Sequence, residues 1–186
     1  AIVRESNLVR QRFWPCDLGA YKSVALANRY NLNLGLDWVG LPYRFPCEET
    51  RFAIAKADLL ISCVDVNSAR LAIGNSEGDF KHNAMWLDMG NGHRHGQVVF
   101  GGLRAKDRKK FPCVLDHYPE IADMADNHTK SCSAAESIAA QDCLVNRTVA
   151  TAAMNVVWEL IRTGSTNRNW ITVSLETGEQ QTYPFP

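Results

Sequence analysis

The feature that most constrains the fold is a short apolar run that ends in a carboxylate, Leu59-Leu60-Ile61-Ser62-Cys63-Val64-Asp65. A run of this length predicts a strand over 58–65 that is buried on both faces, as parallel strands are. In open α/β sheets, ligands bind beyond the carboxyl ends of such strands, so a ligand is expected next to Asp65. The alternative role for this carboxylate is to cap the helix that begins near Asn67.

Strand-like and helix-like segments alternate along the whole chain. The spacing of apolar residues predicts strands at 1–4, 34–41, 58–65, 84–88, 97–101 and 169–175. It predicts helices at 17–30, at 48–56, from 67 to 74 or 75, and from the capping box Ser133-Ala134-Ala135-Glu136 to Gly164. This alternation, with short connections, predicts an α/β fold with a mostly parallel sheet and flanking helices.

Length and composition limit the class of protein. With 186 residues, of which 46% are hydrophobic and 22% charged, the chain has the size of one globular domain. Its formal net charge of zero provides no general field for nucleic acid, so no nucleic-acid partner is expected. No apolar run approaches the roughly 18 residues of a membrane span, and Ala1-Ile2-Val3-Arg4 is not a signal peptide. We therefore expect a cytoplasmic protein with no membrane partner.

Four polar residues near the amino terminus are candidates for binding phosphate. The spacing of three between Asn7 and Arg10 brings an amide and a guanidinium to one side of a turn, and Gln11 follows directly. Lys22 lies in the first turn of a predicted helix, where the helix N-terminus also favours anions. The alternatives are a solvated loop with Arg10 in an ion pair, and a solvated lysine. Together with Asp65, which could ligate Mg²⁺, these residues could hold a polyphosphate and its metal ion.

A second predicted strand, 84–88, also ends in an acid, Asp88. His93 and His95 follow it in a glycine-rich turn, which could suggest a metal site. Because no further ligand lies at a supporting spacing, a surface turn is the better interpretation.

Among the six cysteines, Cys132 is the candidate nucleophile. It directly precedes Ser133 of the capping box, and the helix dipole together with Lys130 would favour its thiolate. The alternative is an inert, half-buried thiol, and Cys143 is expected in the core. Since no pair has C-x-x-C spacing and no secretion signal is present, all six are expected to be reduced.

Taken together, these residues resemble the ThiF family, the ubiquitin-activating-enzyme-like adenylyltransferases. The family's motifs match in order and interval at Asn7-Leu8-Val9-Arg10-Gln11, Gly19-Ala20-Tyr21-Lys22 and Cys63-Val64-Asp65. The remainder is similar to a narrower branch, the ThiF-like protein of the PRTRC plasmid cassette. That similarity lies in Trp86-Leu87-Asp88-Met89-Gly90-Asn91-Gly92, Gly96-Gln97-Val98-Val99, Ser131-Cys132-Ser133, Gln141-Asp142, Val145-Asn146 and Leu175-Glu176-Thr177-Gly178.

The resemblance covers nearly the whole chain and implies a single ThiF-like domain over 1–186. A nucleotide-binding part would span 1–101, a crossover 102–132, and a C-terminal helix and strand part 133–186. The implied fold is Rossmann-like, and its first βα unit, with a Gly-rich phosphate loop, would precede residue 1. Ile2-Val3 has the character of a strand already in progress, so an N-terminal segment is expected to be missing here. Without that loop, weak or no ATP binding is expected, whereas an N-terminally completed protein is expected to bind ATP with Mg²⁺.

The activity that the resemblance implies is adenylation of the C-terminal carboxylate of a small ubiquitin-like protein by ATP. Arg10 and Lys22 would neutralise charge on the phosphates, and Asn7 and Gln11 would position them. Asp65 would hold Mg²⁺, and Cys132 would then take the acyl group as a thioester. A homodimer is one of the expected assemblies.

Two other functions remain open on the sequence. One is a non-catalytic module that retains the nucleotide fold and docks a ubiquitin-like partner. The other is an NAD-dependent dehydrogenase, but nothing in that chemistry requires Asn7-x-x-Arg10-Gln11. Pyrophosphate exchange would distinguish the adenylating enzyme from the docking module.

Overall fold

The computed structural model describes residues 1–8, 11–124, 126, 142 and 144–186. The chain folds as two compact units. In the described part, the first unit comprises residues 1–8 and 11–50, and the second comprises 51–124, 126, 142 and 144–186.

The first unit is built on one long helix. Its elements are α1 (Glu5–Leu8), a 3-10 turn (Pro15–Asp17) and α2 (Lys22–Leu34), while α3 (Glu48–Ile54) crosses the boundary in sequence. The predicted strand at 1–4 is reduced to a single antiparallel bridge between Ile2 and Tyr21. Gly19, at φ 81°, makes the turn before α2, because this conformation is open to glycine at little cost.

Arg29 of α2 holds the preceding loop in place. Its guanidinium stacks 3.6 Å over the Trp14 ring and donates to the Asp17 carboxylate and the Arg12 carbonyl. The Trp14 amide also donates to Asp17, and this bond, with the Arg29 contact, lowers the pKa of that carboxyl. The helix thereby fixes residues 12–17 through its side chains.

The predicted strand at 34–41 is wrong. Residues 35–42 form no strand, because side chains of α2 take the backbone groups that a strand would offer. The Asn31 amide bonds both the N–H and the carbonyl of Trp38, at 2.7 and 2.8 Å, and the Ser23 hydroxyl donates to the Leu41 carbonyl at 2.7 Å. Gly40 allows the close approach, since a Cβ there would lie 2.6 Å from the Ser23 carbonyl oxygen.

The second unit is a five-stranded sheet in the order β1-β2-β3-β4-β5. Its strands are β1 (Leu59–Ser62), β2 (Met85–Asn91), β3 (His95–Gly102), β4 (Arg168–Ser174) and β5 (Gln180–Pro184). Its helices are α4 (Asn67–Asn75), α5 (Ala105–Arg108), α6 (Val114–His117) and α7 (Val145–Thr163), with 3-10 turns at Glu77–Asp79 and Pro119–Ala122.

The α/β class with flanking helices is confirmed, but the parallel pairing extends less far than predicted. β1 and β2 are parallel, whereas β2–β3, β3–β4 and β4–β5 are antiparallel. The reason lies in the connections, since β2 and β3, like β4 and β5, are joined by turns too short for a parallel crossover. β1 is also an edge strand of the described sheet, and Ile61 is 43% exposed, so it is not buried on both faces as predicted.

The core lies between α7 and the sheet. Val149, Ala152 and Val156 face it from the helix, at intervals of three and four, and pack with Leu87, Val98, Phe100, Ile171 and Val173 of the strands. Gly164, in the left-handed region at φ 76°, ends α7 as predicted. No helix in the described part of the chain is long and apolar enough to cross a membrane.

Candidate functional site

A cavity of about 680 Å³ opens in the second unit where the strands end. It is lined after β1 by Val64 and Asp65, and on α4 by Asn67 and Arg70. The other strands, their connecting turns and segment 118–124 complete the lining: Gly90, Asn91, Gly92, His95, Gly96, Gln97, Thr172, Val173, Ser174, Glu179, Gln181, Tyr118, Glu120, Ile121 and Met124. The antiparallel strands bring the starts of β3 and β5 to the same edge as the carboxyl ends of β1, β2 and β4. The cavity therefore extends across all five strands, at the end of the sheet where these termini lie.

Asp65 lines this cavity, at the position where the sequence places a ligand. It is exposed, and with the described residues it forms no hydrogen bond or ion pair. It does not cap α4, whose N-cap is Val66 without a side-chain bond, and the Ser68 amide donates to Asp126 instead. The capping alternative is thus not realised, and the carboxylate is open to a ligand in the cavity.

Beneath Asp65 lies a buried polar chain that begins at Arg70 of α4. The Arg70 Nε donates to the Asp88 Oδ2 at 2.9 Å, and its Nη2 donates to the carbonyls of Val64 and Met89 at 2.9 and 3.2 Å. The Ser62 hydroxyl donates to the other Asp88 oxygen and accepts from the Trp86 indole at 2.7 Å. Every member is tied to a neighbour, as buried polar groups must be to offset lost hydration.

Asp88 does not end its strand, which corrects the sequence-based expectation. It lies in the middle of β2, 1% exposed, and faces Ser62 of β1 across the parallel pair. Burial raises the pKa of this carboxyl, while Arg70 and Ser62 act in the opposite direction. Its oxygens are engaged by Arg70 and Ser62, so Asp88 is not a ligand for a metal at His93 and His95. The described residues contain no group of three His, Cys, Asp or Glu that could hold a metal ion.

Polar side chains in a row form the opposite wall of the cavity. Gln97, Thr172 and Gln181 are register partners across β3, β4 and β5, so they share one face of the sheet. The Tyr118 hydroxyl donates to the side-chain Oε1 of Gln97, and burial raises the pKa of that phenol, with Glu120 adding to the effect. This wall offers amide and hydroxyl groups to a ligand.

Three of the predicted phosphate-binding residues lie together in the first unit. The Lys22 ammonium, at the first residue of α2, donates to the Gln11 side-chain oxygen at 3.1 Å and lies 5.9 Å from the Phe13 ring centroid. Asn7 accepts the Gln11 amide through its carbonyl at 2.9 Å, and its side chain accepts the Arg4 amide at 2.9 Å. The helix predicted over 17–30 begins at Lys22 instead, and the Lys22 ammonium contacts Gln11, another of the predicted site residues.

Two predicted site residues, Arg10 and Cys132, lie outside the described residues, as does Cys143. Of the other cysteines, Cys16, Cys47, Cys63 and Cys113 are free thiols. Burial raises the pKa of Cys63, to which Asp88 contributes, and raises the pKa of Cys113 to about 11. Neither of these two thiols has the character of a nucleophile.

Sequence reasoning missed the buried chain under the cavity. The available signal was a charge inside each of two apolar segments, Arg70 in Ala69-Arg70-Leu71-Ala72-Ile73 and Asp88 in Trp86-Leu87-Asp88-Met89. Two opposite charges inside core-facing elements predict a buried pair, because an unpaired buried charge is costly. Gln97 and Tyr118 carried no comparable signal, since their contact joins β3 to a connecting segment far along the chain.

The cavity fits a nucleotide with its metal ion in both size and donor type. Its volume is within the range of about 300–1,000 Å³ typical of small-molecule sites. Mg²⁺ in such sites takes one or two carboxylates and completes its shell with water and phosphate oxygens. The open oxygens of Asp65 could supply the protein's share of that shell.

Comparison with known proteins supports the assignment of the fold. No protein-family model and no curated protein matches the sequence. Among solved structures, E. coli MccB with ATP has a TM-score of 0.67 at 14% identity, over 99% of this chain and 54% of MccB. E. coli MccB with AMPCPP and MccA gives 0.63 at 14% identity, over 99% and 54%, and PaaA gives 0.65 at 12%, over 98% and 61%. The chain spans about half the length of MccB and shares its Rossmann-like α/β fold.

Proposed function

We propose that this protein is an adenylyltransferase that activates the C-terminal carboxylate of a ubiquitin-like protein with ATP and Mg²⁺. The observation that carries the proposal is Asp65, an open carboxylate between β1 and α4 in a cavity large enough for a nucleotide. Structures with this fold that contain ATP and AMPCPP support a nucleotide as the ligand. The structure with MccA supports a second, polypeptide substrate of a general kind.

In the proposed reaction, a carboxylate oxygen of the partner attacks the α-phosphorus of ATP. The bond from that phosphorus to the bridging oxygen breaks, and pyrophosphate leaves with the electron pair, giving an acyl-adenylate. No proton is transferred to the attacking group, so the protein acts by position and charge. In this proposal Arg10 and Lys22 would neutralise phosphate charge, Asn7 and Gln11 would orient phosphate oxygens, and Asp65 would hold Mg²⁺.

Cys132 is proposed to take the acyl group next. Its thiolate would attack the acyl carbonyl, and AMP would leave as the carbon–oxygen bond breaks. In Cys132→Ala, pyrophosphate exchange should persist while a thiol-sensitive covalent adduct with the partner disappears, as detected by mass spectrometry. An adduct that survives in this variant would assign the role to another residue.

The nucleotide part of the proposal is tested at Asp65. ATP is titrated calorimetrically into the wild type and Asp65→Asn, with Mg²⁺ and again with EDTA. Mg²⁺ should strengthen ATP binding to the wild type by about tenfold or more, and Asp65→Asn should lose that gain, because an amide is a weaker metal ligand than a carboxylate. The matched control is Glu120→Gln, which neutralises another carboxylate of the same cavity and should keep the gain.

The second part is tested by ATP–pyrophosphate exchange with ubiquitin-like proteins as acceptors. Exchange should require the free C-terminal carboxylate and stop when that terminus is amidated. ATP binding without exchange for any such acceptor would instead favour the non-catalytic module that docks the partner. Absence of Mg²⁺-dependent ATP binding in the full-length wild type would contradict the proposal as a whole.

A further inference from the structure

Arg70 connects the buried chain to the backbone that carries Asp65. It is 8% exposed and lies on α4, with its side chain reaching the ends of the two parallel strands. Its Nη2 donates to the carbonyl of Val64, which directly precedes Asp65, and to the carbonyl of Met89 on β2. One nitrogen therefore joins the two chain segments from which the cavity opens.

We propose that Arg70 is a positioning residue for Asp65 and sets the affinity of this site for the metal of a metal–nucleotide complex. The inference rests on the proposed function, since it concerns the carboxylate assigned to Mg²⁺. Arg70 also lines the cavity, but its Nε and Nη2 contacts are made to groups of the protein and not to a ligand. It fixes the peptide unit that orients Asp65, as residues behind metal ligands commonly do.

The geometry requires the forked, planar guanidinium. Nε is used for Asp88 and Nη2 for the two carbonyls, so the contacts diverge from one rigid group. A lysine ammonium at this position could satisfy Asp88 but could not also span both carbonyls. Gly90 leaves the room that the fork needs, because a Cβ there would lie 3.3 Å from Nη2.

The test distinguishes an effect of Arg70 on the orientation of Asp65 from an effect on the stability of the whole protein. Binding of Mn²⁺ to the protein with ATP is followed by electron paramagnetic resonance, and ATP affinity without metal is measured by calorimetry in EDTA. Arg70→Lys should weaken Mn²⁺ binding by about tenfold, the lower end for a residue behind a metal ligand, and leave metal-free ATP affinity unchanged. Gly90→Ala, which presses on Nη2 without removing it, should cause a smaller loss of Mn²⁺ affinity in the same direction.

Two control variants complete the design. Ser62→Ala removes a hydrogen bond of Asp88 but keeps both Arg70–carbonyl bonds, so it should lower the melting temperature and leave Mn²⁺ binding intact. Arg108→Gln removes another arginine of this unit that donates to a backbone carbonyl, away from the cavity, and should also leave Mn²⁺ binding intact.

The outcomes distinguish this inference from the proposed function. If the wild type binds Mn²⁺ with ATP and Asp65→Asn does not, the site is established. Wild-type Mn²⁺ affinity in Arg70→Lys, or an equal loss in Ser62→Ala, would then overturn the positioning role alone. If Arg70→Lys fails to fold, Gly90→Ala decides the question, and wild-type Mn²⁺ affinity in that variant overturns the role. If the wild type binds no Mn²⁺ with ATP, the proposed function and this inference both fail.

Discussion

At the scale of single residues, a chain of hydrogen bonds connects four buried side chains next to the cavity: Trp86, Ser62, Asp88 and Arg70. A buried ion pair adds little net stability compared with an apolar pair of the same shape, because both charges lose their hydration. Here, however, each charge also bonds a hydroxyl or backbone carbonyls, so the pair fixes a geometry. Its contribution is to specify where the ends of β1 and β2 lie.

Cys113 gives a prediction about pH. The folded protein raises the pKa of this fully buried thiol from its usual 9.0 to about 11, chiefly through burial. Between these values the unfolded chain ionises while the folded chain stays neutral, so the thiol's contribution to stability is full below pH 9 and is lost as pH rises to 11. One pH unit corresponds to about 1.4 kcal/mol, so the free energy of unfolding should fall by roughly 2–3 kcal/mol.

The measurement is urea unfolding at several pH values from 8 to about 11, in the wild type and in Cys113→Ala. The alanine variant should be less stable at pH 8 because it leaves a cavity, but its alkaline decline should be shallower by the amount given above. Tyr118 and the other alkaline groups are present in both proteins, so the difference isolates the thiol. Parallel declines would contradict the raised pKa.

The pattern of residue types along the sequence predicted the positions of some of these residues and misplaced others. Asp65 and Lys22 were selected because the sequence itself marks the end of an apolar run and the start of a helix. The structure places Lys22 at the first residue of α2, and Asp65 in the cavity after β1 has ended at Ser62. Asp88 was misplaced because β2 continues past it to Asn91, and an acid inside an apolar run resembles an acid at its end. Only the contact with Arg70, 18 positions away in sequence, distinguishes the two cases.

At the scale of elements, the close approach of β3 to segment 112–113 allows a sharp test. A Cβ on Gly101 would lie 2.2 Å from the Pro112 carbonyl oxygen and 2.7 Å from the Cys113 Cα. Both are backbone atoms that cannot rotate away, so Gly101→Ala should lower the free energy of unfolding by about 2–3 kcal/mol or more. Gly78→Ala is the matched control, since a Cβ there meets no atom within 4 Å.

Chemical denaturation of the two glycine variants checks this prediction. Gly78→Ala should stay within about 0.5 kcal/mol of the wild type, as surface changes usually do. Equal stability of the two variants would mean that the segment at 112–113 moves away from β3 at little cost.

Element by element, periodicity was a good guide wherever one face is buried. α7 and β4 were predicted because their apolar residues recur at helical and strand spacing, and their buried residues follow it. Segment 34–41 has apolar residues too, but the amide of Asn31 and the hydroxyl of Ser23 take up its backbone groups. β5 was missed, since all five of its residues are exposed and two of them are glutamines.

At the scale of the whole molecule, the two units differ in the amount of apolar surface they bury. Among the described residues, the buried hydrophobic side chains of the first unit are Val3, Phe13 and Ala27, whereas about twenty lie in the second. Local opening is favoured where few apolar contacts hold the backbone. We therefore expect amides of α2 to exchange with solvent well before those of β2, β3 and β4.

Hydrogen exchange followed by mass spectrometry checks this order on the intact protein. Peptides from 22–34 should reach half exchange at least about tenfold earlier than peptides from 85–102, a difference of about 1.4 kcal/mol in opening free energy. Added ATP and Mg²⁺ should slow exchange around 65–70 if the proposed site is correct. Equal protection of α2 and β3 would contradict the expected order.

The cavity crosses the sheet from the end of β1 to the start of β5, a distance of four strand spacings or about 19 Å. Its two extremities are chemically unlike. At β1 stand Asp65 and the first turn of α4, while at β5 stand Gln181 and the carboxylate of Glu179. An elongated ligand with its anionic part at one end should therefore bind with that part at β1, where the amino terminus of α4 favours anions. Because the strands run in mixed directions, both amino and carboxyl ends of strands line this cavity. Its two ends therefore differ, and an elongated ligand should bind in one orientation.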